Sequence, residues 1–123
     1  MNFSSFKFHQ QIMAGVEAAG YVTPTPIQKQ AIPPVMEGRD VMGLAQTGTG
    51  KTAAFVLPIL ERLLPGPRRK VRVLIIAPTR ELAEQINDNI ITLGGRRDGR
   101  SLGEALRGHI LAQGETIGIY QRA

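Results

Sequence analysis

Apolar residues recur every three to four positions in several segments of the chain, which is the spacing of one face of an α-helix. The first such segment runs from His9 to Ala19, and Gly20 follows it where a helix commonly ends. The last segment carries an apolar stripe formed by Leu82, Ile86, Ile90 and Leu93. Both segments are predicted to be amphipathic helices that pack one face against a core.

A second helix is predicted from its start signals. Thr25 is suited to cap it, Pro26 to occupy its first position and Gln28 to complete a capping box three residues after the cap. Pro33-Pro34 and Gly38 are expected to end this helix, because proline lacks the N–H group that continues a helix.

Apolar runs predict two buried strands, Asp40 to Leu44 and Val71 to Ala77. Between them a third helix is expected from Thr52 to about Leu64, with Pro58 either kinking or interrupting it. The resulting order is helix, strand, helix, strand, helix. It predicts an α/β fold with a mostly parallel sheet that helices cover on both faces.

Composition restricts the class of protein. A chain of 123 residues forms one small domain with a single core, and 42% hydrophobic residues suit a soluble protein. The sequence has neither a secretory signal nor a run long enough to span a membrane, so a cytoplasmic location without membrane contact is expected. The absence of cysteine excludes disulfides and thiolate metal sites.

The net charge of +5 is compatible with a polyanionic partner but does not establish one. The densest basic cluster is Arg68-Arg69-Lys70 followed by Arg72. It either contacts nucleic acid or forms a solvated connection between a helix and a strand.

The strongest chemical signal is the segment Ala45-Gln46-Thr47-Gly48-Thr49-Gly50-Lys51-Thr52 between a predicted strand and a predicted helix. That order is the one a phosphate-binding loop requires. Gly48 and Gly50 would let the backbone bring N–H groups to anionic oxygens. Lys51 would reach the β and γ phosphates of a nucleotide, and the Thr52 hydroxyl would ligate Mg²⁺. The alternative is a Gly/Thr-rich turn with a solvated lysine, and Ala45 stands where the general pattern has glycine.

Three motifs together resemble a known family. Phe3, Gly20-Tyr21 and the run 23–28 precede the phosphate-binding loop, and Pro78-Thr79-Arg80-Glu81-Leu82-Ala83 follows it. Their order and spacing resemble the N-terminal half of the first RecA-like domain of DEAD-box ATP-dependent RNA helicases, over about residues 3 to 94. The implied organisation is a partial RecA-like P-loop NTPase domain over residues 1–94 and a divergent tail over 95–123.

The resemblance implies roles for individual residues. Tyr21 would pack on adenine, Gln28 would hydrogen-bond the adenine edge, and Phe3 would be the upstream aromatic of the same Q motif. The stretch from Ala45 to Thr52 would hold ATP with Mg²⁺, with Lys51 and Thr52 as its catalytic residues. Pro78, Thr79 and Arg80 would meet the RNA backbone.

Each of these roles has a simpler alternative. For Gln28 the alternative is a role only as the capping partner of Thr25, whereas an amide that pairs with adenine would distinguish it from guanine. For Tyr21 and Phe3 the alternative is a role as core aromatics. For Thr79 it is a helix cap and for Arg80 a surface charge, although a helix N-terminus beside an arginine also suits an RNA phosphate.

The sequence departs from the family after Gly94. The stretch 95–123 is rich in glycine and arginine and lacks the expected strand and Gly-Gly motif. A frameshift, truncation or artificial junction would explain this. The alternative is a genuine tail with a helix from Leu102 to Ala112 and a strand from Thr116 to Tyr120 that covers an incomplete sheet.

These observations predict an ATP-binding piece of a DEAD-box RNA helicase, with RNA as partner in the intact family. The chain lacks an Asp-Glu-Ala-Asp run, a Ser-Ala-Thr motif and a second domain, so it should bind nucleotide without efficient turnover. One alternative is a nonenzymatic module that binds nucleotide or RNA. Another is a P-loop NTPase that is not a helicase, which the Q motif disfavours. The oligomeric state does not follow from the sequence.

Overall fold

A computed structural model of the chain describes residues 2–45, 48, 50–65, 71–94, 96–97, 100–101, 107–111 and 116–120. A 3₁₀ turn at Phe3–Phe6 precedes the helices α1 (Gln10–Ala18), α2 (Pro26–Met36), α3 (Lys51–Leu63) and α4 (Arg80–Leu93). The strands are β1 (Val71–Ile76), β2 (Arg96–Arg97), β3 (Arg100–Ser101), β4 (Arg107–Leu111) and β5 (Thr116–Tyr120). The α/β class is that predicted from the sequence, and so are the four helices, to within a few residues at their ends.

Helix α1 ends as its sequence predicts. Gly20 has a φ of 81°, a left-handed conformation that favours glycine. The N–H of Tyr21 donates to the carbonyl of Val16 over 3.1 Å, and the N–H of Gly20 donates to Glu17 over 2.9 Å. This pair of bonds is a Schellman motif, and it sets the position of Tyr21 relative to the helix.

Helix α2 starts as predicted but does not end at its prolines. Pro33 and Pro34 lie inside the helix, so the expectation that they end it was wrong. The helix continues because a proline carbonyl can still accept a helical hydrogen bond; Pro33 accepts from the N–H of Glu37 over 3.1 Å. Gly38, with a φ of 82°, marks the actual end. Pro58 likewise lies inside α3 without interrupting it.

The core lies where α1, α3 and α4 meet the inner face of β1. Its fully buried side chains include Ile12, Val16, Val56, Leu57, Leu60, Ile90 and Leu93. Gly15 lets α1 approach α4, since a Cβ atom at this position would overlap the carbonyl group of Leu93. Buried Gln11 joins the same two helices by donating from Nε2 to the carbonyl of Gly94 over 3.1 Å.

The sheet differs from the prediction. Its order is β1-β5-β4, and both pairings are antiparallel, so the expected mostly parallel arrangement is not found among the described strands. Only one face of β1 is covered: Ile75 is 8% exposed, whereas Leu74 and Ile76 are 59% and 71% exposed. The prediction that helices cover both faces of this strand, which rested on its continuous apolar run, was therefore wrong.

The segment from Asp40 to Leu44 is not a strand, contrary to the prediction, and its side chains are exposed. Met42 is 89% and Leu44 87% exposed. A strand needs a neighbour that pairs with its N–H and C=O groups. Here β1 pairs with β5, and no strand in the described part of the chain pairs with residues 40–44.

The predicted helix from Leu102 to Ala112 was wrong for residues 107–111, which form β4. Residues 102–106 and 112 lie outside the described residues. The predicted strand from Thr116 to Tyr120 is confirmed as β5, and its pairing with β1 explains why both segments are extended. Across the part of the chain that the structure describes, no helix is long and apolar enough to cross a membrane.

Candidate nucleotide-binding site

The predicted phosphate-binding loop leads directly into α3. Gly48 and Gly50 have φ values of 86° and 81°, the left-handed conformation that was expected for a backbone curving around an anion. Gln46, Thr47 and Thr49 lie outside the described residues. The Lys51 ammonium donates to the carbonyl oxygen of Ala45 over 2.9 Å, so the lysine closes the loop on itself.

The N-terminus of α3 is available to an anion. Gly50 occupies its cap position and provides no side-chain hydrogen bond to the first turn. By contrast, threonine hydroxyls cap α2 and α4. The uncapped N–H groups and the positive end of the helix dipole therefore face the loop together with Lys51, and Thr52 lies half-buried in the same turn.

Gln28 connects α2 to this loop. Its Nε2 donates to the carbonyl of Gly50 over 3.1 Å, and its Oε1 accepts from the N–H of Thr25 over 3.0 Å. Thr25 Oγ1 in turn accepts from the N–H of Gln28, which completes the capping box expected from the sequence. Each polar atom of the amide retains the capacity for one further hydrogen bond, although the side chain is only 3% exposed. The adenine contact of Gln28 stays a prediction.

Phe3 and Tyr21 are in contact. Their ring centroids are 5.9 Å apart and their planes are tilted by 31°. Phe3 is buried at 3% exposure and belongs to the core, as its alternative role required, while Tyr21 is half-buried. Both line a surface pocket of about 350 Å³ beside α1. Among the described residues, no hydrogen bond or ring contact joins this aromatic pair to Gln28, and the adenine contacts of both rings stay predictions.

Pro78, Thr79 and Arg80 lie exposed at the start of α4. Thr79 is the N-cap, and its hydroxyl accepts from the N–H of Leu82 over 3.2 Å. Arg80 pairs with Glu84 over 3.3 Å on the solvent side of the helix. Thr79 is therefore a helix cap and Arg80 a surface charge, the simpler roles considered for them. The binding of an RNA phosphate at this helix end remains a prediction.

Two contacts of the site were not foreseen. The link from Gln28 to the carbonyl of Gly50 joins residues far apart in sequence, and no local pattern signals it. Arg72, considered above as part of a basic cluster, donates to the carbonyls of Arg62 over 2.9 Å and Leu63 over 3.2 Å. It thereby stabilises the C-terminal end of α3, where cations are favoured. The rest of that cluster, Arg68-Arg69-Lys70, lies outside the described residues.

The described residues contain no cluster of three or more His, Asp or Glu side chains that could hold a metal ion. Thr52 is the residue that the sequence assigned to Mg²⁺. Its position in the first turn of α3 is compatible with that role, which the geometry leaves as a prediction.

Comparison with known proteins shows the family of the chain. The profile of the DEAD/DEAH box helicase family matches residues 25–116. Among curated proteins, the chain is 49% identical to the ATP-dependent RNA helicase SrmB of Escherichia coli in an alignment of 90 positions that covers 71% of this chain and 20% of SrmB. It is 43% identical to the ATP-dependent RNA helicase DHH1 of Candida glabrata in an alignment of 123 positions, gaps included, that covers 96% of this chain and 24% of DHH1.

Solved structures give the same result. A DEAD box protein from the hyperthermophile Methanococcus jannaschii superimposes with a TM-score of 0.71 at 33% identity, covering 80% of this chain and 27% of that one. The RNA helicase Prp28 from Chaetomium thermophilum, bound to ADP, superimposes with a TM-score of 0.67 at 38% identity, covering 75% of this chain and 23% of Prp28. The chain thus spans about a quarter or less of the length of these proteins. The family match continues past Gly94, while the domain boundary there and the origin of the tail stay predictions.

Proposed function

Because this chain belongs to the DEAD/DEAH box helicase family, we propose that it binds ATP and forms the nucleotide-binding part of an ATP-dependent RNA helicase. The observation that carries the proposal is the hydrogen bond from Gln28 to Gly50, which attaches the proposed adenine-recognition helix to the phosphate-binding loop. The alternative, a Gly/Thr-rich turn with a solvated lysine, does not predict a hydrogen bond between the loop and a buried amide of α2.

The phosphates would be held at the N-terminus of α3. Gly48 and Gly50 curve the backbone, the first turn of the helix is uncapped, and the Lys51 ammonium lies beside the loop. Phosphate oxygens are stronger acceptors than the neutral carbonyl of Ala45, so Lys51 would exchange one for the other on binding. The described residues of the loop would thus accommodate the phosphates of a nucleoside triphosphate, and the Thr52 hydroxyl would ligate the accompanying Mg²⁺.

Adenine would be recognised by Tyr21 and Gln28. The exposed part of the Tyr21 ring offers a stacking surface, and buried Phe3 supports that ring from beneath. The Gln28 amide already has a fixed orientation, because Thr25 binds its oxygen and Gly50 binds its nitrogen. Its remaining donor and acceptor would pair with the amine and ring nitrogen of adenine. A base would reach the amide only with a small movement of its neighbours, since Gln28 is 3% exposed.

RNA would bind at the start of α4. Residues 78–80 are exposed, and the Thr79 hydroxyl occupies the N–H of Leu82, so the Arg80 guanidinium and the remaining N–H groups of the first turn would meet a backbone phosphate without base specificity. Arg80 would leave its surface pair with Glu84 at little cost, since exposed ion pairs contribute roughly 0–1 kcal/mol. We propose nucleotide binding and this RNA contact for the chain, and not the unwinding of RNA duplexes.

Calorimetry with ADP and GDP, both with Mg²⁺, tests the proposal. Adenine should be preferred, because guanine leaves the Gln28 amide with an unpaired or opposed group. Equal affinities for ADP and GDP would reject the adenine pocket and leave a phosphate-binding loop alone. Failure to bind either nucleotide by folded protein would reject the proposal altogether.

A further inference from the structure

An apolar pocket of about 340 Å³ lies between α2 and α3. Helix α2 lines it with Ile27, Ala31 and Val35, whose spacing of four residues places them on one face. Its volume is near the lower limit of ligand pockets, which occupy about 300–1,000 Å³. The pocket is therefore large enough for a small organic molecule.

The segment before the phosphate-binding loop forms a second wall through Val41 and Gly43. Gly43 helps to keep the pocket open, because a Cβ atom there would already lie 3.4 Å from Cδ1 of Ile27. A larger side chain at this position would grow into the cavity. Met42 lines an adjoining pocket that shares Gly43, whereas Leu74, exposed on β1, lines neither pocket and offers a site for a control substitution.

Helix α3 completes the pocket with Lys51, Ala54 and Phe55. Lys51 is the charged residue among the lining side chains, and its ammonium donates to a neutral acceptor, the carbonyl of Ala45. A carboxylate is a stronger partner for an ammonium than a neutral carbonyl. The charge and the lining therefore complement a molecule with one anionic group on an apolar body.

We propose that this pocket binds a small amphipathic carboxylate, with its chain between α2 and α3 and its charged group on Lys51. Such a ligand engages the same ammonium that would hold the nucleotide phosphates. Bound carboxylate therefore weakens nucleotide binding, a consequence that rests on the function proposed above. The binding itself does not depend on that function.

Direct titration with octanoate tests the site without any nucleotide. Octanoate should bind the unmodified chain, and 1-octanol, with the same chain length and no charge, should bind about tenfold or more weakly because the contact with Lys51 is missing. Acetate, which has the charge without the chain, should show no measurable binding. Equal affinities for octanoate and 1-octanol would overturn the pairing with Lys51, and absent octanoate binding would overturn the site.

Substitutions locate the binding. Gly43→Val should reduce octanoate affinity about tenfold or more by filling the pocket, whereas Leu74→Val, on the exposed face of β1, should leave the affinity unchanged. If Gly43→Val fails to fold by circular dichroism, Val35→Phe fills the same space from α2. Unchanged affinity in a folded filled variant would show adventitious surface binding and overturn the proposal. Octanoate binding without ADP binding would count against the proposed function alone, and ADP binding without octanoate binding against this pocket alone.

Discussion

The Nε2 atom of Gln28 lies 3.1 Å from the carbonyl oxygen of Gly50 and donates a hydrogen bond to it. A Cβ atom at Gly50 would overlap the Gln28 amide and would lie 3.2 Å from Thr25 Oγ1, so the loop can approach α2 this closely only with glycine. The start of α2 and the phosphate-binding loop therefore form one unit. A substitution at the start of α2 should therefore alter the loop, and a substitution in the loop should alter the start of α2.

Replacing Gln28 by alanine tests this unit. Gln28→Ala should weaken the preference for ADP over GDP more than it weakens phosphate binding, because the amide is proposed to contact the base while the loop keeps Lys51. The lost capping interaction and the lost hydrogen bond to the Gly50 carbonyl, which keeps the bond from the N–H of Ala54, should also lower the free energy of unfolding by about 1–3 kcal/mol. Calorimetry with both nucleotides and a thermal melt measure the two effects separately.

The control for this variant is Gln30→Ala, on the exposed side of the same helix. Gln30→Ala should leave the nucleotide preference unchanged. It should change the melting temperature only slightly. An unaltered preference in folded Gln28→Ala would mean that Gln28 serves only as a structural link between α2 and the loop.

Lys51 provides the side-chain cation of the loop. Lys51→Ala should abolish measurable ATP and ADP binding, since a charge-assisted contact to phosphate is lost and no other lysine of the loop replaces it. Lys29→Ala, an exposed substitution on α2, controls for the loss of one positive charge. Calorimetry that found the same affinity in Lys51→Ala as in the unmodified chain would remove the phosphate-loop assignment.

Gly15 should be intolerant of any side chain. Gly15→Ala places a methyl group where the carbonyl of Leu93 lies, so α1 and α4 must separate, which should cost about 1–3 kcal/mol. Ala14→Gly is not a suitable control because it alters helix propensity, whereas Glu17→Gln exchanges residues of similar helix propensity at an exposed position of the same helix. Chemical denaturation measures both. A stability equal to that of the unmodified chain would show that the helices do not pack this closely.

Local sequence predicted those features that depend on neighbouring residues. The Thr25 and Gln28 capping box and the Gly20 helix end each involve groups within a few positions of one another, so their patterns carry the needed information. The two prolines of α2 were misjudged. Proline at 33 and 34 removes N–H donors, but the following turn needs only the proline carbonyls, which remain available.

Features that depend on distant residues were not predictable in this way. An apolar run such as Val41 to Leu44 becomes a strand only if another strand pairs with it, and β1 pairs instead with β5 from the far end of the sequence. The contact of Gln28 with Gly50 and the packing of Arg72 on the end of α3 also join residues separated in sequence. The sequence therefore identified the candidate residues of the site, while the structure determined which of them are joined.

Turnover of ATP should be absent from this chain even if binding is strong. Phosphoryl transfer depends on carboxylates that position Mg²⁺ and water and on arginines that stabilise the developing charge. The sequence has no Asp-Glu-Ala-Asp run, and the described residues form no acidic cluster that could replace it. Purified protein should thus show neither RNA-stimulated ATP hydrolysis nor duplex unwinding, in assays run at protein concentrations above the measured ADP dissociation constant. The prediction would be contradicted by phosphate release that increases with protein concentration, proceeds over many cycles and disappears in Lys51→Ala. Such a result would assign the missing catalytic groups to residues of this chain.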